Sequence, residues 1–374
     1  MLTVLRNADV YAPEPLGRRD ILIAGERVVA VSTALPVFPS ELARAVDMGG
    51  RRVIPGLIDA HVHVTGGGGE SGPASRVAPL QRSALASAGV TTAVGVLGTD
   101  GTTRTIESLV ARTLGLRQEG LSAFCYTGSY ELPLQTLTGS VRRDIVFVDP
   151  IVGVGELAIS DHRSSQPTLD ELLRVASDAY VAGMMSGKAG LLHLHLGDGA
   201  RGLDLVRRAL ETSELPARVF HPTHVNRQRR LFDEAMVLTE RGVTIDVTAF
   251  PPGPFDDPGL SAAEAISRFL KSGAHKERVT CSSDGGGCLP VFDAEGRMVS
   301  MDVGRPTTLM DTVRELVALG HALGDVLPAF TCNVATLFRF ASKGRIAPGA
   351  DADLLLLGPN LEVAQVMARG AWVH

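Results

Sequence analysis

The chain is defined first by what it lacks. No apolar run in its 374 residues approaches the ~20 needed to span a bilayer, so no membrane helix is expected. The opening Met1-Leu-Thr-Val-Leu-Arg-Asn-Ala-Asp9 has neither the basic start nor the long apolar stretch of a signal peptide, and none is expected there. Cysteine is scarce: Cys125, Cys281, Cys288 and Cys332 are scattered and show no Cys-x-x-Cys spacing. They read as reduced thiols in a cytoplasmic protein. There is no basic excess either. Lys and Arg total 36 against 41 Asp and Glu, a formal net charge of -5, so nothing advertises nucleic acid or anionic lipid as a partner. Low-complexity sequence is confined to the short run Gly66 to Gly69.

What remains is an ordinary globular composition, 45% hydrophobic and 21% charged, long enough for a large core. Both ends carry short alternating β segments. Asp20 to Val31 reads as a hairpin turning near Gly25-Glu26, and 354–357 and 363–367 read as strands near the other end. These segments predict one small β domain built from residues 1–52 and 344–374. Between them, eight apolar runs (53–64, 91–99, 122–130, 151–159, 190–198, 218–226, 243–250 and 278–286) alternate with helical patterns such as 106–116, 169–180 and 203–210. Eight strands alternating with helices predict an α/β fold, a (β/α)8 TIM-like barrel over 53–343.

In such barrels the chemistry sits at the C-terminal ends of the strands, and polar residues do collect at the run ends. The first run closes on His61-Val-His63, whose imidazoles share one strand face and make half a metal site. The second ends at Thr99-Asp100 and the third at Tyr130; the fourth contains Glu156. The fifth holds His193 and His195, the sixth ends with His221-Pro-Thr-His224-Val-Asn-Arg227, and the eighth with Ser282-Ser-Asp284-Gly-Gly-Gly287. Four candidate imidazoles and two carboxylates make a two-metal constellation.

This arrangement resembles the amidohydrolase superfamily. The likeness rests on Pro55-Gly-Leu-Ile-Asp-Ala-His-Val-His63, the later single histidines, Ser283-Asp284 and Pro348-Gly-Ala-Asp-Ala-Asp353. It is closest to the branch that cleaves β-aspartyl dipeptides, through Val96-Leu-Gly-Thr-Asp100, Thr138-Gly-Ser140, Ala158-Ile-Ser-Asp-His-Arg-Ser164, Pro222-Thr-His-Val-Asn-Arg227 and Ser282-Ser-Asp-Gly285. The resemblance implies two divalent ions, expected to be zinc. His61 and His63 would hold one with Asp284, and His195 and His224 the other. A carboxylated lysine usually bridges the ions in that family; the matching position here is Glu156, already a carboxylate. Its shorter arm requires backbone or ions to shift. The alternative is that Glu156 serves one ion or stands behind a ligand.

The same resemblance implies a hydroxide bridging the two ions, with Asp284 as proton shuttle and Tyr130 donating to the carbonyl oxygen as it becomes an oxyanion. The alternative for Tyr130 is packing at the barrel mouth. Glu70 would accept the substrate's α-ammonium group. The Gly68 N–H and Thr99 would meet the isoaspartyl α-carboxylate, and Arg163 and Arg227 the leaving residue's carboxylate. Cys288 stands where the family has serine, a weaker donor in the same role. Members assemble as octamers, which implies a homo-oligomer. His162 is expected to position the Arg163 loop, and His193 to face away from His195 into the core. His221 need not share the face of His224, and His275, His321 and His374 are expected to be exposed or structural. Two competing readings are a related amidohydrolase acting on another N-acyl amino acid or cyclic amide, and a catalytically inactive scaffold.

Overall fold

The computed structural model describes residues 2–249, 259–292 and 298–374. Eight strands lie at the eight apolar runs: β1 (Leu57–Val62), β2 (Val90–Gly95), β3 (Ser122–Thr127), β4 (Ile151–Ile159), β5 (Leu191–Leu196), β6 (Phe220–Thr223), β7 (Ile245–Thr248) and β8 (Val279–Ser282). Residue 250, the last of the seventh run, lies outside the described residues. Every residue of β1, β2, β4 and β5 is buried. Helices cover the outside of a parallel sheet while side chains fill the inside, so both faces are buried and polar residues on them need partners.

β1 to β6 form one parallel sheet in chain order, and β7 and β8 a parallel pair. Two seams join them. At one, Val62 bridges to Gly285 and the His63 N–H donates to the Gly285 carbonyl at 2.8 Å. At the other, side chains replace the ladder: the Thr223 hydroxyl donates to Asp246 at 2.7 Å, and the Thr248 N–H donates to the Asn226 side chain at 2.9 Å. A helix follows each strand: Arg82–Ser87, Ile106–Gln118, Val141–Phe147, Leu169–Ser186, Asp204–Thr212, Arg229–Glu240, Ala262–Lys271 and Thr308–Ala318. The longest starts on a capping box, Thr168 with Glu171, and ends where Gly187 turns left-handed at φ 72°. The result is the expected (β/α)8 barrel.

The two chain ends meet in one sheet. Strands Leu2–Tyr11, Pro15–Ala24, Arg27–Ser32, Ala43–Asp47 and Arg52–Pro55 join Leu354–Leu357, Val363–Ala368 and Ala371–Trp372. Arg52–Pro55 links the halves, pairing with Leu2–Tyr11 on one side and Leu354–Leu357 on the other. This sheet has its own core, including Leu5, Ile21, Ile23, Met48 and Leu354. Two features were not foreseen from sequence. After Gly287 the chain makes an antiparallel pair, Cys288–Phe292 with Met298–Val303, before returning to the barrel. A helix, Cys332–Phe338, packs on β1 and β8 and brings the Phe338 ring within 6.1 Å of Tyr126 and 6.3 Å of His221. No helix among the described residues is long and apolar enough to cross a membrane.

Candidate metal centre and substrate pocket

Glu156, fully buried on β4, sits between two pairs of imidazoles. Its Oε1 lies 3.4 Å from His61 Nε2 and 3.5 Å from His63 Nε2. Its Oε2 lies 3.1 Å from His195 Nδ1 and 3.6 Å from His224 Nε2. Asp284 closes the first pair, with Oδ1 3.0 Å from His63 Nε2 and 3.4 Å from His61 Nε2. The strands explain the convergence. His61 and His195 stand on β1 and β5, His63, His224 and Asp284 just after β1, β6 and β8, and His224 and Asp284 adopt left-handed backbone at φ 60° and 52°. Gly98 clears the space beside them: at φ +81°, a Cβ there would stand 2.6 Å from His63 Cε1.

The donor set can hold a metal ion. His61, His63 and Asp284, and likewise His61, Glu156 and His224, each bring ligand atoms within 4.8 Å of one another. Glu156 Oε1 and Asp284 Oδ1 are buried with no hydrogen-bond partner, an arrangement that is costly unless a cation meets them. Burial opposes ionisation of both carboxyls. For Glu156, attraction to His61 and hydrogen bonds with His195 and His224 outweigh burial; for Asp284, His61 and His63 do so; both are held well below the usual carboxylate range. Imidazole nitrogen with carboxylate oxygen is a donor set suited to zinc and similar dications.

Around this centre the structure gathers the other candidates. The Tyr130 hydroxyl is 2.7 Å from His195 Nδ1. Burial, reinforced by the Glu156 charge, pushes its phenol well above the usual value, so it stays a proton donor. The Arg163 guanidinium stands 5.5 Å over the Tyr130 ring, and the Arg227 charge acts on the same phenol. Glu70 is a hub: Oε1 accepts from Thr99 Oγ1 at 3.0 Å, Arg163 at 3.3 Å and Cys288 Sγ at 3.2 Å. Gly68 borders it. A Cβ on Gly68, at φ +73°, would stand 3.5 Å from Cys288 Cβ and 2.4 Å from the Ser75 carbonyl.

Three supports escaped the sequence reading. Asp161 is buried and grips Arg163 through two oxygens at 2.8 and 3.0 Å, while its Oδ2 lies 3.0 Å from His195 Nε2. It also accepts the Arg163 N–H at 2.7 Å, so the Asp-His-Arg turn was its signal. His162, expected to position this loop, has a ring 63% exposed with Nδ1 3.7 Å from the Asp161 and Asp198 carboxylates, while Asp161 holds the guanidinium. Arg104 pins the glycine loop by donating to the Gly67 and Gly68 carbonyls at 2.7 and 2.8 Å; nothing in its sequence context marks it. The third support corrects an expectation. His193 does not face away from His195: two residues apart on one strand, both rings point inward, and His193 Nε2 meets His61 Nδ1 at 2.8 Å. His193 bonds onward to His221 at 2.9 Å, and burial lowers the His221 ring to about 4, so it is neutral. The His321 ring, by contrast, meets Ser267 at 2.8 Å, away from the site.

Cys288 carries a prediction. Burial comes first, with the Glu70 charge and hydrogen bond, in pushing its thiol far above the usual value. At pH 8 it should therefore alkylate slowly although it is more exposed than the other three cysteines. Mass spectrometry after brief iodoacetamide treatment checks this; reaction at the rate of free cysteine would show that Glu70 does not hold the thiol protonated.

The comparisons agree with this geometry. A model of the "Amidohydrolase family" matches residues 52–373. The structure is similar to that of a β-aspartyl dipeptidase from the thermophilic, keratin-degrading Fervidobacterium islandicum AW-1 in complex with β-Asp-Leu dipeptide. Identity is 42% over 100% of this chain and 97% of that one, with a TM-score of 0.94. A second structure of that dipeptidase gives 41%, the same coverage and 0.91. A dihydroorotase of Lactobacillus gasseri is 38% identical over 63 residues, 17% of this chain and only 14% of the dihydroorotase. With barrel, ligand constellation and family model in accord over most of its length, the chain belongs to the amidohydrolase family.

Proposed function

We propose that this chain hydrolyses the β-aspartyl peptide bond of dipeptides, using two divalent ions held by His61, His63, Glu156, His195, His224 and Asp284. The carrying observation is Glu156, whose two oxygens face separate imidazole pairs 3.1 to 3.6 Å away. Likeness at 42% identity to a β-aspartyl dipeptidase supports the substrate class. Zinc is the ion this donor set suits best. In the same reading, residues 53–343 carry the chemistry, residues 1–52 with 344–374 form a small β domain, and the chain assembles as a homo-oligomer.

Bound dications would bring a water's ionisation near neutrality and polarise the scissile carbonyl. The side chains supply the rest. Asp284 accepts the attacking water's proton and delivers it to the leaving amine. Tyr130 donates from its phenol to the carbonyl oxygen as charge builds there. Glu70 takes the α-ammonium group, the Gly68 N–H with Thr99 and Cys288 the isoaspartyl α-carboxylate, and Arg163 with Arg227 the leaving residue's carboxylate. Glu70 and Arg163 are 3.3 Å apart, so a zwitterion entering between them replaces one ion pair by two.

The test compares β-Asp-Leu with α-Asp-Leu on zinc-loaded protein. Hydrolysis of the β-linked dipeptide alone is expected. Equal turnover of both, or turnover of a cyclic amide in their place, would overturn the substrate assignment. Within this reading Arg227→Met should raise KM for dipeptides by the equivalent of about 1.5–3 kcal/mol, the usual value of a charge-assisted contact. A substrate whose leaving residue lacks a carboxylate should be nearly indifferent; an equal loss on both would place Arg227 away from the leaving group.

A further inference from the structure

Beneath the proposed metal ligands runs a buried chain that the reaction does not use. His61 Nδ1 meets His193 Nε2 at 2.8 Å, and His193 Nδ1 meets His221 Nδ1 at 2.9 Å. His221 Nε2 meets Thr280 Oγ1 at 3.1 Å, and Thr280 Oγ1 meets Asp246 Oδ1 at 2.6 Å. All five residues are fully buried. The Tyr126 ring stacks on His193 at 4.9 Å, and Phe338 closes the floor beside His221. No side chain in this chain can rotate to find water, so every proton in it must be assigned.

We infer that Asp246 and Thr280 fix the tautomers of His221 and His193, and through them hold His61 with its proton on Nδ1 and its Nε2 lone pair facing the metal centre. The argument runs from both ends. The Thr223, Thr280 and Ser282 hydroxyls all donate to the Asp246 carboxylate. Thr280 therefore spends its hydrogen on Asp246, since two bare oxygens 2.6 Å apart would repel. Its second neighbour, the Ile245 carbonyl at 3.3 Å, is also an acceptor and leads to the same result. Thr280 then accepts from His221, which carries its proton on Nε2 and presents a bare Nδ1. His193 must donate to that Nδ1, which leaves its own Nε2 bare. His61 must donate to that Nε2 from Nδ1. From the other end, a ligating His61 needs Nε2 free of hydrogen, which puts its proton on Nδ1. The reversed direction would put hydrogen on His61 Nε2, where the carboxylates and a cation meet. Both ends demand one polarity, and a ligand imidazole donating its second N–H is the arrangement that fixes ring orientation.

This inference rests on His61 being a metal ligand but not on the identity of the substrate. Its test is therefore read without turnover. Neutron diffraction from deuterated crystals should place deuterium on His193 Nδ1 and His221 Nε2 and none on His193 Nε2; the opposite placement overturns it. Zinc titration of His193 variants supplies the second arm. His193→Phe removes the acceptor and should weaken zinc binding about 10–100-fold, the usual effect of losing such a partner. His193→Gln can still offer an amide oxygen to His61 Nδ1 and should bind close to wild type. Wild-type affinity in a folded His193→Phe protein overturns the proposal, and if that variant fails to fold, the wild-type deuterium positions decide alone. Should wild type bind no zinc, the metal reading fails, while the deuterium positions still report the polarity.

Discussion

Asp284→Asn is expected to give a folded, zinc-loaded protein whose kcat is down about 100-fold or more, the scale of losing a general acid–base group. The substitution is chosen to leave the structure alone. Asp284 sits in left-handed backbone at φ 52°, a conformation asparagine tolerates as well as aspartate. Asparagine keeps the side chain's shape and one carbonyl oxygen that can face His63, now 3.0 Å from Oδ1. What it loses is the basic oxygen that could take a proton from water and return it to the departing amine. Zinc content and thermal melting should be measured beside kcat, so that loss of metal is not read as loss of the proton carrier. Near-normal turnover at full zinc occupancy would remove Asp284 from the shuttle role.

The barrel was legible because its physics is repetitive. A strand buried on both faces reads as a mainly apolar run, and eight such runs matched eight strands with small errors at the ends. Several helices were less legible. Ala262–Lys271 announces itself by a capping box, Ser261 with Glu264, but Arg82–Ser87 and Val141–Phe147 are too short to show a helical period. In the site, the histidines and Asp284 could be named as candidate ligands because they stand at strand ends, and the resemblance added Glu70, Tyr130 and the arginines as candidates. Asp161 and Arg104 were missed for a common reason: each acts on a neighbour's position, Arg163 in one case and a carbonyl pair in the other. A charged residue in a loop gives no sign of that until the fold closes. His193 was a different failure. The two-residue period that places His61 beside His63 applies equally to His193 and His195, and the buried chain beneath the site follows from it.

By the resemblance drawn from sequence, Glu156 stands where the family usually has a lysine, and its replacement should have the largest effect on the metals. A lysine there must first react with carbon dioxide before it can bridge, so assembly of such a site responds to bicarbonate. Glu156 brings its carboxylate with it, one oxygen toward His61 and His63 and the other toward His195 and His224. Metal-stripped protein is therefore expected to regain two zinc ions per chain, and activity, on adding zinc alone. Glu156→Gln preserves size but turns one arm into an NH2 group. That group can donate but cannot meet a cation, so whichever imidazole pair it faces loses an oxygen ligand. The two dications would also lose one of the two carboxylates that balance them in a fully buried site, where unpaired charge is most costly. At least one ion should be lost. Glu156→Lys should recover metal only when bicarbonate is supplied, and only to the extent that a pocket shaped for the shorter arm admits the longer one. Metal analysis of wild type and Glu156→Gln side by side settles the central point: two ions bound with equal affinity by both proteins would mean that Glu156 is not the bridge.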